Sequence, residues 1–99
     1  MTEYEDNYIT PAVCVYHDNK VYSIEVELPG VEKENIDFQM SENWFCLKAQ
    51  REDELYSGCW MLAHNIKPQI AKAKFKDGLL SIRAPQEDMA NEGIKINVE

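Results

Sequence analysis

Cys14, Cys46, Cys59, His17 and His64 are side chains whose chemistry suits nucleophiles, bases or soft metal ligands. Cys14 and His17 have the C-x-x-H spacing of half a zinc site. On one strand, however, an offset of three residues sends two side chains to opposite faces. No second C-x-x-C or H-x-x-x-H accompanies them, so a closed tetrahedral site is not expected. Nucleophilic catalysis needs a base within hydrogen-bond reach and a third group to orient it. Neither histidine lies in such a motif, and both read as surface imidazoles beside turns or strand ends. Gly30, Gly58, Gly78 and Gly93 stand alone, none opening a helix as a phosphate loop requires. No catalytic residue, metal or cofactor is expected. The three cysteines are odd in number and widely spaced, which is not a disulfide framework. They read as small core residues in a reducing compartment, with buried packing expected for Cys46 and Cys59.

Whatever these residues do, a single small domain must position them. The chain has 99 residues, a formal net charge of -8 and 44% hydrophobic residues. That is enough for one modest core. The acidic balance argues against nucleic acid, whose binding requires clustered Lys and Arg. Glu52-Asp53-Glu54 and Glu87-Asp88 read as solvated loops. No apolar run approaches the roughly 20 residues that span a bilayer, so no membrane partner is expected. The beginning, MTEYEDNYIT, is acidic rather than a basic, apolar export signal, and a cytoplasmic location is expected.

Period two dominates the pattern. Val13 to Tyr16 begins a strand, and Asp18-Asn19 supplies a tight turn. In VYSIEVEL, Tyr22, Ile24, Val26 and Leu28 share one face and Ser23, Glu25 and Glu27 the other, the signature of a half-buried strand. Leu28-Pro29-Gly30 predicts a turn, and VEKENI at most one helical turn. Ile36, Phe38 and Met40 alternate with polar residues, as do Phe45, Leu47 and Ala49 with Cys46 and Lys48. QREDEL reads as a hairpin connection or a bend between sheets. Beyond it Tyr56, Trp60 and Leu62 fall on one parity, with Gly58 as an interruption marking a bulge or bend. Ala71, Ala73 and Phe75 alternate with Lys72 and Lys74, and Lys76-Asp77-Gly78 turns the chain into Leu80, Ile82 and Ala84. Short strands with turns between them predict an all-β, antiparallel sandwich. The expected organisation is a short arm over residues 1–10, a sandwich over 11–84, and a tether ending in a strand over 85–99. Tyr4, Tyr8 and Ile9 are the arm's candidates for docking.

The terminal GIKINVE alternates Ile94, Ile96 and Val98 with Lys95 and Asn97. A sandwich has edge strands with unpaired backbone groups that accept an added strand. This segment fits such an addition, or else an ordinary last strand of the domain's own sheet.

Several stretches then line up in order. EVELPGVEKENI resembles the early-strand signature of the α-crystallin domain of small heat-shock proteins, carried here by Leu28, Pro29 and Gly30. AKAKFKDGLLSI resembles that family's A-x-x-x-x-G-V-L-x-I stretch at Ala73, Gly78, Leu80 and Ile82, with Leu79 at the usual Val. GIKINVE resembles its C-terminal I-x-I/V motif. The similarity spans about Pro11 to Val98. It implies an immunoglobulin-like β-sandwich and ATP-independent holding of non-native client proteins. It also implies self-association, into dimers or larger homo-oligomers. The I-x-I/V tail would dock in a groove bordered by Ile36, Phe38 and Met40 and by Ala71, Ala73 and Phe75. The pair that docks is Ile94 with Ile96 or Ile96 with Val98, in the same or a neighbouring subunit.

The sequence departs from the family pattern where Gly58 replaces the usual Arg and Ala63 the usual Pro. Only Glu52 to Leu55 occupies the place of the long exchanged loop of microbial members, and the arm is reduced to about ten residues. Compact CS-domain co-chaperone adaptors share the sandwich, and a protein-binding adaptor without holdase activity is the alternative reading.

Overall fold

The computed structural model describes residues 8–87 and 96–99. Its strands are β1 (Tyr8–Ile9), β2 (Ala12–His17), β3 (Val21–Glu27), β4 (Ile36–Met40), β5 (Trp44–Arg51), β6 (Glu54–Met61), β7 (Lys72–Lys76) and β8 (Leu79–Pro85). They form two four-stranded sheets, ordered β1-β6-β5-β4 and β2-β3-β8-β7. All pairings are antiparallel except β1 with β6, which is parallel. The β-sandwich expected from period-two patterning, and implied in immunoglobulin-like form by the family resemblance, is the observed architecture.

The core lies between the sheets and is built by alternation. Tyr22, Ile24, Val26 and Leu28 are each at most 1% exposed. Phe45, Leu47 and Ala49 come down from the other sheet, and Leu80, Ile82 and Ala84 complete the layer. Tight turns of two or three residues set the hairpin registers. Asp77 (φ 53°) and Gly78 (φ 80°) both occupy the left-handed region that a type I′ hairpin requires, joining β7 to β8. Glu52 and Asp53 join β5 to β6, a shorter connection than Glu52 to Leu55, because Glu54 and Leu55 already belong to β6. Asp18 closes the β2–β3 turn: its Oδ1 accepts from the amides of Lys20 and Val21 at 2.7 and 2.8 Å. Those two donors hold its carboxyl below the ordinary carboxylate range. The single helical turn expected in VEKENI is a 3-10 turn over Lys33–Asn35.

Gly58 marks neither a bulge nor a bend. The β5–β6 ladder runs unbroken from Trp44↔Met61 to Arg51↔Glu54, with Gly58 opposite Leu47 on the core side. What the glycine provides is room: a Cβ there would stand 2.7 Å from Cη2 of the Trp60 indole. That ring is in turn stacked on Phe45, with centroids 5.0 Å apart. Gly58→Ala is therefore expected to lower stability by about 1–3 kcal/mol, the range for overpacking a core. Urea denaturation followed by tryptophan fluorescence measures it, and an unchanged midpoint would show that the indole moves freely.

The cysteines also depart from the sequence expectation. Cys46 and Cys59 are not buried core thiols; they face outward from β5 and β6 and are joined in a disulfide, with Cα atoms 4.1 Å apart. Cys14 is free and exposed. The bond depends on register, which composition does not carry. Counting outward from the Glu52-Asp53 turn places Arg51 opposite Glu54 and, five pairs on, Cys46 opposite Cys59. A two-residue turn within QREDEL is the feature of the sequence that sets this pairing.

Of the arm, Tyr8 and Ile9 form β1 beside Leu55 and Tyr56, and Ile9 packs on the core. At the other end, Gln86 bridges to Ile66 beyond β8. Residues 1–7 of the expected arm and 88–95 of the tether, including Tyr4, Asp88 and Gly93, lie outside the described residues.

Candidate docking groove

The groove anticipated between two strand edges has a topological basis. Only Thr10 and Pro11 separate β1 from β2, so these two edges share one side of the sandwich. The remaining edges, β4 and β7, then share the other. Each is hydrogen-bonded to one neighbour, β5 and β8 respectively, among the described residues. The opposite side of each strand carries unpaired backbone groups of the kind that accept an added strand.

Apolar side chains line these edges. Ile36, Phe38 and Met40 alternate along β4, half-buried, and Phe38 lies 5.8 Å from the Phe45 ring. Ala71 and Phe75 are half-buried on the β7 side, and both groups pack on the core. Ala71 precedes the strand proper, following the 3-10 turn Pro68–Ile70. Ala73 is exposed. With Ile70 and Pro85 it contributes to an open depression of about 700 Å³ on the β7–β8 face, which Lys72, Lys74 and Arg83 make electropositive.

The tail's candidate residues are only partly described. Ile94 lies outside the described residues. Ile96 and Val98 are 74% and 95% exposed and belong to no strand.

The signature residues are brought together, which sequence alone did not show. The Leu28 amide donates to the Gly78 carbonyl at 2.7 Å, and the Val31 amide returns to the Leu28 carbonyl at 3.2 Å, closing the Leu28-Pro29-Gly30 turn. Gly30 holds φ 79°. From the facing sheet, Arg51 Nη1 donates to the Pro29 carbonyl at 2.8 Å while Nη2 pairs with Glu54 Oε1. The Glu54 carboxylate keeps the guanidinium above its already high ordinary pKa. Arg51 thus links the turn before β4 to the β5–β6 hairpin, a role that no sequence motif announced.

The remaining titratable candidates behave as their strand positions dictate. Cys14 and His17 leave opposite faces of β2, in register with Glu25 and Tyr22. His17 stacks on Tyr22 at 4.7 Å and meets His64 at 5.3 Å. The Tyr22 hydroxyl accepts from the His64 amide at 3.1 Å. No group of three or more metal-ligating side chains occurs among the described residues. Nor is any helix among them long and apolar enough to cross a membrane.

Comparison with known proteins gives this arrangement its relatives. Residues 15–99 match the model of the Hsp20/alpha crystallin family. Small heat shock protein C4 of Rickettsia felis is 29% identical, with 97% of this chain and 69% of that protein covered. Small heat shock protein C2 of the same organism is also 29% identical, over 81% of this chain and 62% of its own length. Among solved structures, heat shock protein 16.0 from Schizosaccharomyces pombe superposes with a TM-score of 0.74 at 21% identity, covering 93% of this chain and 77% of that one. A small heat-shock protein from Xylella fastidiosa gives 0.71 at 19% identity, covering 92% and 97%. These matches favour a small heat-shock chaperone over a CS-type adaptor. The chain belongs to the Hsp20/alpha crystallin family.

Proposed function

We propose that this chain is an ATP-independent holdase that binds non-native proteins and assembles with further copies by docking its tail into the β4–β7 groove of a neighbour. The observation that carries the assembly half is a complementarity. Two edge strands on one side of the sandwich present half-buried apolar residues with unpaired backbone, while Ile96 and Val98 are largely exposed. An extended I-x-I/V segment would satisfy both: its backbone pairs with a strand edge, and its alternate side chains enter between Ile36, Phe38 and Met40 and Ala71, Ala73 and Phe75. The same apolar edges, when vacant, offer non-directional contact to unfolded chains of many sequences. Binding of this kind uses no cofactor and no catalytic residue. The protein would act on proteins in the cytoplasm, and its net charge of -8 disfavours nucleic acid as a partner.

Ile96 belongs to both docking pairs, so one substitution tests both. Ile96→Asp is expected to reduce the native mass at micromolar concentration by at least one assembly step. Its circular-dichroism melt should stay within a few degrees of wild type, because the residue lies outside the core. An unchanged mass would remove the tail from assembly. Separately, equimolar protein should slow the light-scattering rise of a heated, thermolabile client enzyme. No slowing would end the holdase reading.

A further inference from the structure

The Cys46–Cys59 bond is absent from the function just proposed, and its surroundings suit a reversible site more than a structural staple. It joins residues that the β5–β6 ladder already holds in register, and does not bridge the two sheets. Eight register pairs hold that ladder, and the core beneath is continuous without the bond. Cys59 is exposed and Cys46 half-buried, so an attacking thiolate can reach the Cys59 sulfur. Access from the strand's far side is open as well, because β1 covers β6 only at Leu55 and Tyr56 among the described residues. Around the bond, Trp44, Trp60 and Met61 complete a shallow apolar pocket of about 240 Å³, with Met61 76% exposed. A disulfide persisting in a reducing compartment is most often transient and redox-sensing.

We infer that Cys46 and Cys59 form a reversible thiol–disulfide site, reduced by dithiols of the thioredoxin class, that locks the β5–β6 strand pair in its oxidised state. A dithiol's thiolate attacks Sγ of Cys59, forming a mixed disulfide; the electron pair of the broken bond leaves with Cys46, which takes up a proton. The reductant's second thiol then displaces Cys59 as a thiol. The protein has gained two electrons and two protons, and the dithiol departs as a disulfide. Oxidation is the reverse exchange with a disulfide of the same class. The consequence is thermal. Closing a loop with a sequence separation of 13 removes freedom from the unfolded chain, and losing that closure brings the opening of β5–β6 to a lower temperature. Opening would uncover Phe45 and Trp60, so the reduced protein exposes apolar surface earlier in a heat ramp.

The inference rests on the proposed cytoplasmic placement for its biological reductant and for the expectation that such a bond is transient. Its test reads thiols and melting, not client aggregation, so the two readings fail separately. Folded full-length protein is equilibrated across a series of reduced and oxidised dithiothreitol ratios, quenched with iodoacetamide, and weighed intact. One alkylated cysteine, Cys14, is expected at the oxidising end and three at the reducing end. The same curve should appear in both directions while the circular-dichroism spectrum stays native. The melting midpoint should fall by about 10–20 °C on reduction. A Cys46→Ser/Cys59→Ser double variant should melt with the reduced protein and ignore dithiothreitol. If that variant does not fold, reduced and alkylated wild type supplies the same comparison. Three alkylated cysteines at every ratio would overturn the inference. So would a bond that opens only once the protein has unfolded, or a melting midpoint indifferent to reduction.

Discussion

Phe45→Ala is expected to lower the unfolding free energy by about 3–5 kcal/mol, the range found when a buried aromatic is truncated in a core that cannot fully collapse. Phe45 is fully buried between two aromatic neighbours: Trp60 stacks on it at 5.0 Å and Phe38 lies tilted at 5.8 Å. Its register partners on β4 and β6 are Met40 and Trp60. The loss would therefore leave a cavity walled in large part by two rigid rings, with Met40 the flexible neighbour able to fill some of it. Total stability for a domain of this size is only about 5–15 kcal/mol, so a folded fraction persists but melts some tens of degrees lower. Urea denaturation of wild type, Phe45→Ala and Phe45→Leu checks the claim. The leucine variant should lose clearly less, and a loss below about 1 kcal/mol for alanine would mean that the site collapses. Phe38 and Met40 line the candidate groove, so the damage should also reach function. In Phe45→Ala the β4 wall loses its backing, and assembly should weaken even at temperatures where the domain remains folded.

The contrast between Phe45 and its neighbour Cys46 shows which parts of the fold were legible. Alternation placed Phe45, Leu47 and Ala49 on the core face because burial is a property of one strand's own pattern. VYSIEVEL and Lys76-Asp77-Gly78 were legible for similarly local reasons: one is a half-buried strand, the other a pair of left-handed residues that a tight hairpin needs. Pairing Cys46 with Cys59 needed the register between strands, and register turns on whether QREDEL closes in two residues or four. Gly58 was opaque for a different reason, the path of a side chain within its own strand. Within its own strand a glycine looks like a break, and only the indole of Trp60 lying against it shows that it is a space. The residues offered as groove walls came from resemblance, whereas the placement of β4 and β7 on one side of the sandwich follows from the short link between β1 and β2. Arg51 was invisible because its partners, the Pro29 carbonyl and Glu54, lie on different elements.

Gly78→Val is expected to cost about 2–3 kcal/mol, because two independent constraints meet at one residue. The first is conformational: Gly78 holds φ 80°, and a non-glycine residue in the left-handed region pays about 1–2 kcal/mol, with a β-branched side chain at the upper end or beyond. The second is steric: a Cβ at this position would stand 3.3 Å from the Pro29 Cα, a backbone atom with no rotamer by which to retreat. Pro29 cannot shift alone, since the Leu28 amide is bonded to the Gly78 carbonyl and the Pro29 carbonyl to Arg51. A valine would therefore push the β7–β8 hairpin away from the turn that leads into β4, and β4 and β7 are the strands that border the candidate groove. Gly78→Asn separates the constraints, because asparagine tolerates the left-handed region but still brings a Cβ. It should lose roughly half as much stability as valine by urea denaturation. If the two variants were equally destabilised, the contact with Pro29 would dominate. If asparagine were neutral, the backbone conformation would account for the whole effect, and the touching of the two signatures would be without energetic consequence.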